Sequence, residues 1–302
     1  RIFITGGGTG LGKNMARRFM ELGAGVVICG RREDVLKETA GELAGETGGG
    51  ISWKRLDIRD PEAVERTLAE VWDNGPLDAL VNNAAGNFLS RTEDLSHRAL
   101  DAVVNIVLHG SAYMTLECGK RWIAERRPGN VLSIVTTYAW TGSGYVVPSA
   151  MGKAGVLAMT RSLAVEWGPK NIRLNAIAPG AFPTEGAWSR LLPRQDLAEA
   201  FETRNPLGRT GDHDELTNLA AYLLSDQSGF ITGEVVTIDG GRWLAGAGQF
   251  NFASMLSDLG SAVTLLEALP EILVGCDAAV AKTVRRSFRK RRIDVHPGVS
   301  VS

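Results

Sequence analysis

The stretch from Thr136 to Lys153 gathers a phenol, aliphatic hydroxyls and an ammonium within one short reach: Tyr138, Ser149 and Lys153 can between them donate, hold or relay a proton. The apolar run Val131–Val135 reads as a strand feeding this stretch, and a helix pattern opens at Pro148. Tyr138 then falls just past a strand's carboxyl end and Lys153 in a helix's second turn. In an open α/β sheet that is the edge where ligands bind. The plain alternative is a Gly/Ser-rich loop whose tyrosines do no chemistry.

The elements that must position these groups are written upstream. Ile2–Thr5 is an apolar run ending in Gly6-Gly-Gly-Thr-Gly10-Leu11-Gly12, and Lys13–Leu22 follows with apolar residues at helical spacing. Strand, glycine turn and helix suit a pyrophosphate, because glycine lets the backbone approach closely and the helix N-terminus offers free N–H groups and a positive dipole end. Val26–Cys29 predicts a second strand, ending in Gly30-Arg31-Arg32 where an NAD site would place an acid for the ribose hydroxyl. Two guanidiniums there favour the 2′-phosphate of NADPH, against the alternative that they cap a solvated loop.

Alternation continues with a helix over Arg32–Leu43, a strand over Ile51–Leu56 ending at Asp57, a helix over Pro61–Trp72 and a strand over Ala79–Asn83. Asp57 is either a strand-end cap or an adenine contact. The fourth strand runs into Ala84-Ala-Gly86-Asn87-Phe88, small residues that let backbone lie against a flat ring. Helices over Leu100–Glu125 and Pro148–Trp167, a strand over Arg173–Ile177 and a turn at Pro179-Gly180 come next. A helical flap over Leu192–Thr203, a helix over Asp212–Leu224 and a strand over Glu234–Ile238 complete the pattern. Strands separated by helices predict right-handed crossovers and an α/β fold, a Rossmann-like doubly wound parallel sheet in a single domain over residues 1–252.

The chain has 302 residues, 44% hydrophobic and 22% charged, with a net charge of −1, which bounds it to one α/β domain with no bias toward nucleic acid. Cys29, Cys118 and Cys276 form no CxxC pair, so no metal site or disulfide frame is expected and a reducing compartment is. His97, His109 and His213 lack an acidic partner placed to activate them and read as structural. The character changes over residues 253–302. Residues 253–283 predict one or two amphipathic helices, and Val284–Arg292 is a charge run, read as a solvated or disordered tail against the alternative of a phosphate-binding patch. Ala262–Ala281 is interrupted by Glu267, Pro270, Glu271 and Asp277 and makes a poor membrane span.

Thr5-Gly6-xxx-Gly10-x-Gly12, Asn82-Asn83-Ala84-Ala85-Gly86, the Lys153-bearing helix and Pro179-Gly180, in that order and spacing, resemble the short-chain dehydrogenase/reductase family over about residues 1–245. The family's usual proton-donating Tyr stands four residues before the Lys, where this chain has Ser149. Its usual Ser falls at Thr136 and its usual active-site Asn at Val107. An aliphatic hydroxyl at Ser149 is too weak an acid to protonate an alkoxide unaided, which argues against an ordinary ketone reductase. Asn87-Phe88, Tyr138 eleven residues before Ser149, Gly142–Ser149 and Thr184–Arg190 are similar instead to the 2,4-dienoyl-CoA reductase branch of mitochondrial and bacterial type.

That resemblance implies NADPH-dependent reduction of a 2,4-dienoyl-CoA to the 3-enoyl thioester in unsaturated fatty acid β-oxidation. Tyr138 and Asn87 would hold the dienolate oxygen, Lys153 the ribose hydroxyls of the cofactor, and Ser149 would complete their network. Cofactor contacts would fall at Thr5, Gly6, Gly10, Leu11, Gly12, Arg31, Arg32, Asp57, Asn83, Ala84, Gly86, Lys153, Pro179 and Gly180. Trp140 and Tyr145 read as lining or packing the loop, and either could contact an acyl chain. A homotetramer is implied, with the helices over Leu100–Glu125 and Pro148–Trp167 paired across a two-fold axis. Arg1 opens inside a strand without Met, so the N-terminus reads as missing and the compartment as bacterial cytoplasm or mitochondrial matrix. Two rivals stay open: a reductase of another enone or enoyl thioester, and a silent NADP-binding scaffold.

Overall fold

The computed structural model describes residues 1–184, 205–244, 257, 261–267 and 278–299. The predicted flap Leu192–Thr203 and the motif beyond Thr184 lie outside them. Seven strands form one sheet: β1 (Ile2–Thr5), β2 (Val26–Gly30), β3 (Ile51–Arg55), β4 (Ala79–Asn82), β5 (Gly129–Ile134), β6 (Ile172–Pro179) and β7 (Val235–Ile238). All pairs are parallel, in the order β3-β2-β1-β4-β5-β6-β7. β4 and β5 are buried along their whole length, as strands covered on both faces must be, and this is why they read as near-continuous apolar runs. Ile4 sits level with Ile28 on one side and Val81 on the other, which fixes the register at the sheet centre.

The helices are α1 (Gly10–Glu21), α2 (Glu33–Thr47), α3 (Pro61–Asp73), α4 (His97–Ala124), α5 (Tyr138–Thr141), α6 (Val147–Trp167) and α7 (His213–Leu224). Local chemistry starts them. Asp60 accepts from the Ala63 N–H ahead of α3, with Pro61 in its first turn, and Asp212 with Glu215 forms a capping box on α7. One core, containing Phe3, Leu68, Met114, Trp122 and Trp167, lies under α3, α4 and α6. The other, containing Ile4, Met15, Phe19, Val81 and Leu216, lies under α1, α2 and α7. Strand order reverses between β1 and β4, opening a crevice at their carboxyl ends.

α4 is long and apolar enough to cross a membrane by length and composition, yet it packs on the sheet with Met114, Cys118 and Trp122 fully buried. It begins earlier than the sequence pattern predicts, and Asn105–Gly110 within it is a π-helical segment that no residue periodicity announces. Gly110 there faces Ile58, where a Cβ would lie 2.6 Å from the side chain. α6 is apolar over most of its surface, with Arg161, Ser162 and Glu166 turned to solvent near its end. Its Gly152 receives Val107 of α4 and its Gly155 receives Leu108.

The C-terminal stretch differs from its reading. It holds β8 (Val263–Glu267), α8 (Ala278–Lys290) and β9 (Ile293–Pro297), with β8 and β9 parallel and separate from the main sheet. A strand thus stands where amphipathic helix was expected, and most of the charge run lies on a helix. Alternation explains the first, since Val263 and Leu265 face the core of Phe288 and Ile293 while Thr264 and Leu266 are exposed. Val284 and Phe288, one helical turn apart, explain the second, because they seat α8 while Lys282, Arg286, Arg289 and Lys290 stay in water.

Candidate active site

β5 delivers the backbone to the crevice and α6 starts beside it, so groups far apart in type meet in a small space. Lys153 lies in the second turn of α6, only 6% exposed, and its Nζ donates to the Ile134 carbonyl at the end of β5. Burial lowers its ammonium from the ordinary 10.5 to about 8. Ser149, one turn earlier, is 2% exposed, and its Oγ lies 2.9 Å from the Tyr138 hydroxyl. Tyr138 opens the single turn α5 instead of standing in an open loop. Tyr138, Ser149 and Lys153 are therefore brought together as expected.

Thr136 sits between β5 and Tyr138 with its Oγ1 buried and without a hydrogen-bond partner. Asn87 is less closely joined. It is exposed, its Oδ1 accepts from the Phe88 N–H at 2.9 Å, and its amide nitrogen makes no hydrogen bond among the described residues. The two loops are nonetheless tied, since the Ser90 N–H donates to the Tyr145 carbonyl at 3.0 Å. Tyr145 holds a left-handed φ of 63°, a conformation that costs energy in a bulky residue. Trp140 packs edge-on against Trp243 with ring centroids 5.8 Å apart, the packing role expected of it. Val107, where the family's Asn was expected, is fully buried against Gly152. His109 pairs with Asn105 on its own helix, and none of His97, His109 and His213 hydrogen-bonds to the site among the described residues.

The glycine turn is held from β4. Thr5 Oγ1 accepts from the N–H groups of Asn83 and Ala84, each at 3.0 Å, and Asn83 Nδ2 returns bonds to the carbonyls of Thr5 and Gly6. Gly12 must be glycine, because a Cβ would lie 2.4 Å from the Gly6 carbonyl. Gly10, at a φ of 56°, faces Thr184, so the turn after β6 reaches the glycine turn across the crevice. Leu11 lies in the first turn of α1, which carries no acidic side chain and whose N-cap Thr9 gives no side-chain bond, leaving N–H groups for an anion. Gly180 has another reason to be small: its Cβ would strike Asp239 at 2.6 Å.

Arg31 and Arg32 follow β2, exposed, their guanidiniums without an ion pair or hydrogen bond among the described residues. Asp57 follows β3 and is occupied: Arg59 Nε bonds its Oδ1 at 2.9 Å and Arg59 Nη2 its Oδ2 at 2.5 Å, while Oδ1 also accepts the Arg59 N–H. Arg59, with Arg31 a smaller cause, holds the Asp57 carboxyl below the usual range. The capping role of Asp57 is thus present. Three contributors escaped the sequence reading: Arg59, Thr39, whose Oγ1 donates to the Gly8 carbonyl at 2.8 Å, and Thr115, which accepts from Asn82 Nδ2 at 2.8 Å. Only Arg59 had a signal, two residues beyond an acid.

Free N–H groups at α1 and a close-packed glycine turn fit a dinucleotide. Residues 6–242 match the family model described as Enoyl-(Acyl carrier protein) reductase, and residues 246–302 match that of Pyridine nucleotide-disulphide oxidoreductase. A Caenorhabditis elegans protein named as a probable 2,4-dienoyl-CoA reductase with a (3E)-enoyl-CoA product is 44% identical over 84% of this chain and 82% of its own. A Bacillus subtilis (strain 168) protein named as a probable 2,4-dienoyl-CoA reductase, with a (2E)-enoyl-CoA product, is 42% identical over 80% of this chain and 96% of its own. The crystal structure of a short chain dehydrogenase from Bacillus anthracis str. 'Ames Ancestor' is 41% identical, with a TM-score of 0.73 over 80% of this chain and 96% of that one. With its parallel sheet, its glycine turn and its Lys153 beside the end of β5, the chain belongs to the short-chain dehydrogenase/reductase family, among relatives named 2,4-dienoyl-CoA reductase.

Proposed function

We propose that this oxidoreductase uses NADPH to reduce 2,4-dienoyl-CoA thioesters to 3-enoyl thioesters, in the breakdown of unsaturated fatty acids. The observation that carries this reading is the Tyr138 hydroxyl 2.9 Å from Ser149, with Lys153 buried one turn further along α6. A phenol placed there can hold an oxyanion, while Ser149 cannot serve as the acid an alkoxide needs.

When bound, NADPH supplies the hydride. The glycine turn and the N-terminus of α1 would hold its pyrophosphate, Arg31 and Arg32 its 2′-phosphate, and Asn83, Ala84 and Gly86 would border its adenosine side. Pro179 and Gly180 would border the nicotinamide side, and Lys153 would take the ribose hydroxyls and add positive potential. A conjugated dienoyl thioester that gains hydride at its far carbon moves its electrons to the thioester oxygen. Tyr138 and Asn87 donate to that oxygen, and losing one such donor costs roughly 10²–10³ in rate. Ser149 orients the Tyr138 hydroxyl, and a proton from water at Cα completes the 3-enoyl product.

The description of the matched family model favours a second reading, reduction of a 2-enoyl thioester at the same site. NADPH oxidation with a panel of dienoyl-CoA, 2-enoyl-CoA and 3-ketoacyl-CoA thioesters separates the two, with NMR of the product to place its double bond. Preferred turnover of the dienoyl substrate is expected, and preferred turnover of the ketoacyl substrate would overturn both readings. Loss of turnover on every thioester while NADPH still binds would leave only the scaffold. α4 and α6 keep Leu116, Met151 and Val165 exposed, which supports a homotetramer built on these helices and measurable as mass by light scattering.

A further inference from the structure

Arg31 and Asp57 end neighbouring strands. Gly30 of β2 pairs in register with Arg55 of β3, and the Leu56 N–H donates to the Gly30 carbonyl at 2.9 Å, so the residues that follow sit side by side at the sheet edge. A free carboxylate beside a free guanidinium closes into a two-pronged pair, since the two forks match. Here that pairing is pre-empted. Both oxygens of Asp57 are taken by Arg59, and Arg31 carries no partner among the described residues. The opposite arrangement would leave an acid engaging Arg31 and repelling a phosphate at the same edge.

We propose that Arg59 sets cofactor choice from a distance, by occupying Asp57 so that Arg31 stays available to the 2′-phosphate. Arg59 is thus a positioning residue, and this role rests on the reading of NADPH as the cofactor. The fork is partly exposed, its side chains 39% and 34% accessible, so the effect is bounded. Arg31 adds to Arg59, as the smaller cause, in holding the Asp57 carboxyl below its usual range.

The test measures dissociation constants of NADPH and of NADH by fluorescence titration, with KM and kcat alongside, for wild type, Arg59→Gln, Asp57→Asn, Arg59→Gln/Asp57→Asn and Arg31→Gln. Arg59→Gln is expected to weaken NADPH about fivefold to tenfold, the size of coupling usual between neighbouring charges, with NADH changed less than about twofold and the loss seen in KM rather than kcat. The double variant should bind NADPH within about twofold of Asp57→Asn, because without the carboxylate there is nothing for Arg59 to occupy. Equal losses for NADPH and NADH in Arg59→Gln, or a double variant no better than Arg59→Gln, would overturn the proposal and make Arg59 a structural or direct phosphate contact. Arg31→Gln tests the underlying reading separately: unchanged NADPH affinity there removes that reading, and the proposal with it, whatever Arg59→Gln does. Thermal midpoints exclude misfolding, and Arg59→Lys keeps the charge without the fork, giving an intermediate loss of NADPH affinity.

Discussion

At the carboxyl ends of β2 and β3, charge is exposed and one guanidinium pair stands without partners among the described residues; at β5 and α6 the polar groups are buried and joined, Ser149 to Tyr138 and Lys153 to the Ile134 carbonyl. The two ends of one crevice thus solve different problems. An exposed charge costs little to keep ready and attracts over a distance that salt shortens. A buried group costs desolvation, seen in the lowered ammonium of Lys153, and in return its geometry is set before the substrate arrives. The first region should therefore govern which cofactor binds and the second how fast the reaction runs.

Removing the phenol tests this division hardest. Tyr138→Phe is expected to lower kcat by roughly 10²–10³ with NADPH affinity nearly unchanged, because the lost bond exists chiefly in the transition state. Asn87→Ala should act likewise, and near wild-type turnover in either variant would misassign the oxyanion site. Arg31→Asp should do the reverse, raising the KM for NADPH by about 10- to 100-fold with little effect on kcat, the range for losing a charge-assisted bond. Added salt should weaken NADPH binding in wild type more than in that variant, and equal salt dependence would deny Arg31 its role.

A smaller effect comes from pH. The folded chain loses the Lys153 proton as pH rises through about 8, so titration of NADPH from pH 7 to 9 should show affinity falling at the upper end, by no more than about tenfold per unit. Stability should move oppositely. The unfolded chain keeps that proton up to 10.5, binds more protons between about 8 and 10.5, and so loses ground to the folded chain as pH rises through that window. Lys153→Arg should abolish the limb in affinity. The smallest change expected is that of Ser149→Ala, a loss of about threefold to tenfold in kcat, since it removes one orienting hydrogen bond and no acid. A larger loss than in Tyr138→Phe would make Ser149 the proton source.

The fold was legible because β1, β2, β4 and the middle of β5 are apolar runs, β3 alternates, and the long helices between them carry apolar residues at helical spacing. Tyr138, Ser149 and Lys153 were legible for the same reason: a strand end and a helix start leave little freedom to the residues between them. Asn87 was legible only as a motif, and its amide does not reach Tyr138 by any hydrogen bond here. Less was visible where structure depends on distant contact. The π-helical segment of α4 follows from packing of Val107, Leu108 and Gly110 against α6 and Ile58, and neither α5 nor the Asp57–Arg59 fork has a periodicity to read. β8 was lost because its alternation is short and its neighbour β9 lies beyond a helix in sequence.

The place of β1 inside the sheet, between β2 and β4, also bears on how the chain is made. β1 precedes both of its neighbours in the chain, and it needs β4 as well as β2 for its two edges. At about 5–20 residues per second, the wait from Thr5 to Asn82 is roughly 4–15 s, during which an apolar strand has one edge without its partner. Nascent chains that stop before Ala79 should accordingly be caught by holding chaperones or aggregate. On refolding, recovery of activity should trail the helical signal, because the crevice exists only once the long-range pairs have closed.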